Sequence, residues 1–245
     1  MNIRATLAEQ PRPRYLMCNP QHFAVSYSIN PWMDPKAWAE RGDALHATAA
    51  AQWDGLYRAL MRAGAAVELI DPAPGLPDLV FTANAAVVLD GKALLASFRH
   101  AERQGEQPVY AAGFHALKAR GLLGDVVEMP DGVVLEGAGD CLWDARRGLF
   151  WMGSGFRSDP RAAAVVEDCF DVPCVPLDLA DPSFYHLDTA LGVLDEHLDA
   201  QLGDEVDGVL RTTVDLTVPT LAAVTAGLTD RHPGDAVRLE GFLHL

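Results

Sequence analysis

The feature that most restricts the fold is a recurring order of short strands and single helices. From residue 14 to about residue 194 short apolar runs come mostly in pairs, and one helix separates each pair from the next strand. The runs predict strands at 14–18, 66–70, 87–89, 93–97, 126–129, 141–143, 149–152 and 172–177. Trp38, Leu45, Ala49, Trp53, Leu56 and Leu60 recur at spacings of three, four and seven. They predict an amphipathic helix over 37–63, ended by Gly64. Further helices fit 108–120, with Gly121 behind it, and 161–168. This alternation is α/β organisation. A ββαβ unit returning about every 50 residues is the kind of internal period that marks a propeller-like array.

The flanks differ. Residues 1–13 are polar, carry two prolines and read as a loose leader. Residues 195–245 contain no Lys, Cys, Trp or Tyr, and their only Phe is Phe242. Thr and Val dominate 209–225, and the strand-pair rhythm is hard to continue there. The domain expectation is therefore a main unit over 14–194 and an atypical tail over 195–245. No basic, apolar leader and no apolar run of transmembrane length occurs, and four cysteines are too few for a disulfide scaffold, so a reducing cytoplasm is the expected setting. The formal charge of −15 argues against nucleic acid and anionic lipid as partners. It suits a cationic small substrate, although solubility alone explains many acidic proteins.

Several segments can carry chemistry. LEGAGD (135–140) places Glu136 and Asp140 around two glycines, which let a backbone bend sharply and approach a ligand. Two such carboxylates can cradle a cation through charge-assisted hydrogen bonds, or be solvated acids on a plain turn. YHLDT (185–189) puts His186 between an aromatic and an aliphatic residue at an expected strand. A half-buried His there is either a general base or a satisfied core histidine. In LPDLVFTANA (76–85), Asp78 follows a proline as an ordinary turn former, and Asn84 needs partners if buried. Arg103 and Arg157 can each fork onto a carboxylate, or be ordinary surface arginines. Neither GxG extends to a dinucleotide fingerprint, and no nucleophile elbow or zinc-type cysteine pair occurs.

Together, MCNPQHFAVSYSINPWM, LPDLVFTANAAVV, HAERQGEQP, LEGAGD, GSGFRSD and FYHLDTALGVLD resemble, in order and spacing, the guanidine-modifying enzymes. That superfamily holds arginine deiminases, dimethylarginine dimethylaminohydrolases, amidinotransferases and arginine dihydrolases, and the dihydrolase branch looks most similar. The resemblance implies a pentein-type α/β propeller of ββαβ modules and a hydrolase acting on guanidine C–N bonds of arginine or a methylated arginine. It implies no metal and no organic cofactor. Glu136 would grip the substrate guanidinium and His186 would be the general acid/base. Asn84 would stand where deiminases place a second aspartate. Arg103 and Arg157 would clamp the α-carboxylate, Asp78 would hold the α-amino end, and Asn30 would line the pocket; Asp140 matches the motif without an assigned role.

One departure matters. The family's nucleophilic cysteine lies in a late Gly-rich loop, and no cysteine follows Cys174 here. The last module is thus expected to be incomplete or replaced, through a frameshift near codon 195 or a diverged carboxyl half. Cys141 beside Asp140 is a poor substitute, because a reactive thiolate needs nearby positive charge. A non-catalytic arginine-binding protein and a degenerate chain are the rival readings.

Overall fold

The computed structural model describes residues 12–193 and the backbone of Leu243–His244. The leader up to residue 11, the tail from 194 to 242 and residue 245 lie outside the described residues, and with them most of the tail expectation.

Three small sheets carry the α/β architecture. In the first, β1 (Arg14–Cys18) pairs in parallel with β2 (Ala66–Ile70) across helix α1 (Pro35–Arg62). The second holds the β3 (Ala86–Leu89) and β4 (Lys92–Leu95) hairpin. Helices α2 (Ala101–Gln104) and α3 (Glu106–Ala119) then lead to β5 (Asp125–Val127), parallel to β4. The third repeats that plan: β6 (Cys141–Asp144) and β7 (Leu149–Ser154) form a hairpin, and α4 (Ala162–Phe170) leads to β8 (Cys174–Asp178), parallel to β7. The ββαβ unit expected from the sequence is therefore present twice. β9 (Leu243–His244) pairs antiparallel with β1. The sequence reading placed no strand there.

Local chemistry explains the boundaries. Asp34 caps α1: its Oδ1 accepts from Lys36 N and Ala37 N, both at 3.0 Å, and Pro35 follows at the first helical position. That moves the helix start two residues ahead of the expected 37. At the other end Gly64 takes φ 87° while Ala65 N donates to Leu60 O, a left-handed helix stop. Asp90 and Gly91 both have positive φ, as the two-residue turn of a type I′ hairpin requires. The strand expected over 93–97 is shorter: Ser97 leaves β4 and bridges Leu135.

The second sheet is buried on both faces. Ala86, Ala93 and Leu95 join a core with Leu16, Ile70, Tyr110, Phe114 and Leu117. Val87 and Leu94, pointing the other way, join a second core with Phe150, Met152, Ala162 and Val166. This explains the continuous apolar runs of β3 and β4. YHLDT is not a strand: His186 is extended (φ −124°, ψ 152°), and a 3-10 turn follows at Leu187–Thr189. Among the described residues no helix is long and apolar enough to cross a membrane.

Candidate functional site

Three 3-10 turns place the site. Thr82–Ala85 stands directly before β3, Gly137–Gly139 shortly before β6, and Leu187–Thr189 beyond β8. The middle turn packs against both others. Asn84 comes from the first, Glu136 and Asp140 flank the second, and His186 precedes the third. The close approach depends on glycine. A Cβ on Gly137, whose φ is 61°, would lie 2.6 Å from Ala83 O. A Cβ on Gly139 would collide with Asn84 Nδ2. This is the physical reason for the two glycines of LEGAGD.

Glu136 is fully buried and is the centre of charge. Its Oε2 is 2.8 Å from Arg157 Nη1, 3.4 Å from His186 Nε2 and 3.9 Å from Arg103 Nη1. Burial is the largest single influence and pushes this carboxyl up, yet His186, Arg157 and Arg103 together outweigh it and hold it below the usual range. Asp140 Oδ2 accepts from Ser158 Oγ at 2.6 Å, and Oδ1 accepts from Leu187 N at 3.0 Å. His186 Nδ1 lies 3.2 Å from Asp140 Oδ2, a charge contact without the alignment of a hydrogen bond. Burial pushes the imidazole down, but Asp140, with Glu136 and Asp188, raises it above its ordinary value. Ser158 also accepts from Glu136 N at 3.0 Å, so one hydroxyl ties both carboxylate positions together.

Both arginines are only 2% exposed, so the surface reading does not hold for either. Arg103 is consumed by internal partners. Its Nε and Nη2 fork onto Glu106 at 3.0 and 2.8 Å, Nη2 also donates to Asp78 O at 3.3 Å, and Nη1 donates to Asn84 Oδ1 at 2.9 Å. Its guanidinium lies 4.4 Å over the Phe98 ring. Burial pulls the Glu106 carboxyl up and Arg103 pulls it down; the bidentate fork is the geometry of an ionised pair. Burial also raises Asp78, against the pull of Arg103 and Tyr27. Arg157 is less committed. Nη1 donates to Glu136, Nη2 donates to Ile29 O at 3.2 Å, and buried Nε has no hydrogen-bond partner. Arg99 fixes its loop, donating from Nε to Arg157 O and from Nη2 to Ser158 O, each at 3.3 Å.

A cavity of about 160 Å³ opens over this cluster. Asp78, Asn84, Arg103, Arg157 and His186 line it together with Asn30 and Trp32. Asn30 is held by its own turn, with Oδ1 accepting from Trp32 N at 2.9 Å. Glu136 and Asp140 lie just behind the wall. Thus all eight residues singled out in the sequence converge. Sequence reasoning missed Glu106, Ser158 and Asp188, the last of which also lines the cavity. Each sits one to three residues from a recognised one, so side-chain spacing was the available signal. Among the described residues no group of His, Cys, Asp and Glu is arranged to hold a metal ion.

The model of the family described as N,N dimethylarginine dimethylhydrolase, eukaryotic, matches residues 12–198. The chain belongs to the dimethylarginine dimethylhydrolase family. An N(G),N(G)-dimethylarginine dimethylaminohydrolase of Mycobacterium tuberculosis is 43% identical over 184 residues, covering 75% of this chain and 56% of that protein. The bifunctional arginine dihydrolase/ornithine cyclodeaminase AgrE of Nostoc is 42% identical over 178 residues, covering 73% of this chain and 24% of the relative. Among solved structures, a cysteine-to-serine variant of the N-terminal domain of ArgZ, a cyanobacterial arginine dihydrolase bound to its substrate, has a TM-score of 0.65. It is 38% identical, with 75% of this chain and 64% of that one covered. This family member therefore spans only part of each relative's length. Dimethylarginine dimethylaminohydrolases and arginine dihydrolases are hydrolases acting on C–N bonds in linear amidines.

Proposed function

We propose that the chain is the guanidine-binding part of a hydrolase acting on arginine or a methylarginine, and that its sheets are blades of an α/β propeller. The observation that carries the reading is the charge of the site. Asp78, Glu106, Glu136 and Asp140 are all buried at or behind one cavity, and among the described residues the buried groups that offset them are Arg103, Arg157 and His186. A guanidinium is a delocalised cation whose planar N–H fork fits a carboxylate. Glu136 holds that fork and orients its central carbon. Asp78 receives the α-amino end. Arg157, with an uncommitted Nε–H, receives the α-carboxylate; Arg103 has fewer donors to offer and acts mainly by holding Asn84 and Asp78 in place. His186, paired with Asp140, moves protons to the leaving nitrogen and from water.

Hydrolysis also needs a nucleophile at the guanidine carbon. None of the cavity-lining residues is a cysteine. Burial raises the Cys18 thiol to about 12 and raises Cys141 well above its ordinary value. We therefore assign this chain recognition and proton transfer, with turnover impaired. The similarity to the M. tuberculosis dimethylaminohydrolase favours methylarginine as the second reading of the substrate. Calorimetric titration tests both. L-arginine or a methylarginine binds, L-lysine does not, and Glu136→Gln removes the binding while the melt stays cooperative. Equal binding of lysine and arginine overturns the assignment.

A further inference from the structure

Glu136 is not vacant. The carboxylate best placed to grip a substrate guanidinium already holds one, that of Arg157, at 2.8 Å. His186 and Arg103 stand around the same oxygen at 3.4 and 3.9 Å. A ligand guanidinium arriving there meets a carboxylate that is already neutralised, and meets Arg157 as a like charge. It can take Glu136 only if Arg157 leaves. Arg157 is itself 2% exposed, so releasing it without another anion would strand a buried charge, the costly half of any buried ion pair. Among the described residues its links are few: Glu136, His186 Nε2 at 3.5 Å from Nη1, the Ile29 carbonyl at 3.2 Å and the Tyr185 ring at 4.9 Å, with Nε unpartnered. Arg157 lines the cavity together with Asn84, Asp78 and His186, so a ligand's acid group can reach it there.

We propose that Arg157 is a specificity-determining counter-ion: it occupies Glu136 in the empty site and exchanges onto the ligand carboxylate as the ligand guanidinium takes its place. The inference rests on the guanidine-binding reading and goes beyond it. Selectivity then comes from a repulsive element, because a guanidine without an acid group would leave Arg157 buried and unpaired. The site accepts guanidino acids and rejects guanidino amines of the same length.

L-arginine and agmatine separate the cases, since agmatine keeps the guanidinium, the chain and the amine and lacks only the carboxylate. Titration calorimetry of the whole chain should show arginine binding at least about 100-fold tighter than agmatine. In Arg157→Met, Glu136 is released, so arginine should weaken by about tenfold or more while agmatine tightens by about tenfold. The opposite signs are what a merely structural role cannot produce. If arginine binds the wild type but agmatine is unchanged or weaker in Arg157→Met, the exchange is refuted and the guanidine site stands. If neither ligand binds the wild type, both fall. Should Arg157→Met fail to fold, the ¹H–¹⁵N resonance of Arg157 Nε in the wild type, assigned by its loss in Arg157→Lys, reads the same event. Arginine must shift it and agmatine must not; equal shifts overturn the exchange.

Discussion

Replacing Gly137 by Ala should cost far more than the same change at Gly148. Both glycines have positive φ, 61° and 65°. A Cβ at either therefore meets the left-handed penalty of about 1–2 kcal/mol. Only Gly137 has backbone in the way. Its Cβ would lie 2.6 Å from Ala83 O and from Asn84 C, and 2.7 Å from Asn84 O, whereas nothing lies within 4 Å at Gly148. Backbone cannot swing aside as a side chain does, so an overpacking cost of about 1–3 kcal/mol adds at Gly137 alone. For a domain of this size each kcal/mol lowers Tm by about 2–4 °C. Urea titration with unchanged slope, and a thermal melt, measure the two variants side by side. Gly137→Ala should also weaken arginine binding at least about tenfold, about 1.4 kcal/mol, because separating the two turns parts Glu136 from Asn84. Equal destabilisation of the two variants, within about 0.5 kcal/mol, refutes the packing argument.

Other outcomes follow from the same geometry. Glu106→Gln leaves Arg103 buried without its fork and should destabilise by about 3–5 kcal/mol in chemical denaturation, while Asp54→Asn, which breaks the exposed pair with Arg58, should change stability by less than about 0.5 kcal/mol. His186 should titrate above 6.5 by NMR, and Asp140→Asn should lower its midpoint. Because the folded value is raised, its stabilising contribution is complete below the unfolded value near 6.5 and disappears as pH rises through the folded one; Asp140→Asn should flatten that alkaline loss, and a midpoint that moves upward contradicts the pairing. Native protein at pH 8 should resist iodoacetamide at Cys18, Cys141 and Cys174, and Cys169, the least buried, should label first; fast labelling of Cys141 would show a reactive thiolate where burial forbids one.

The amino-acid pattern alone was enough for the α/β class and the ββαβ unit, and the resemblance carried by its motifs named eight residues that the fold gathers at or behind one cavity. Those features are local. Apolar period distinguishes strand from helix, Gly64 stops α1, and motifs such as LEGAGD keep their chemistry within a few residues. The boundaries that slipped were also decided by single interactions: the Asp34 cap moved α1, and the Ser97–Leu135 bridge cut β4 short. What only the tertiary structure decided is the pairing of charges. Glu136, Arg157 and His186 are separated by 21 and 29 residues along the chain, and nothing in spacing tells which acid faces which base. Burial raised the stakes of that choice, since two arginines that read as surface residues are nearly inaccessible and must find partners inside. Arg103 found Glu106, three residues away and foreseeable. Arg157 found Glu136 because β6 and β7 pair antiparallel, which sets the segment before β6 beside the segment after β7, and this contact turns a set of binding residues into a site already occupied by the protein's own guanidinium.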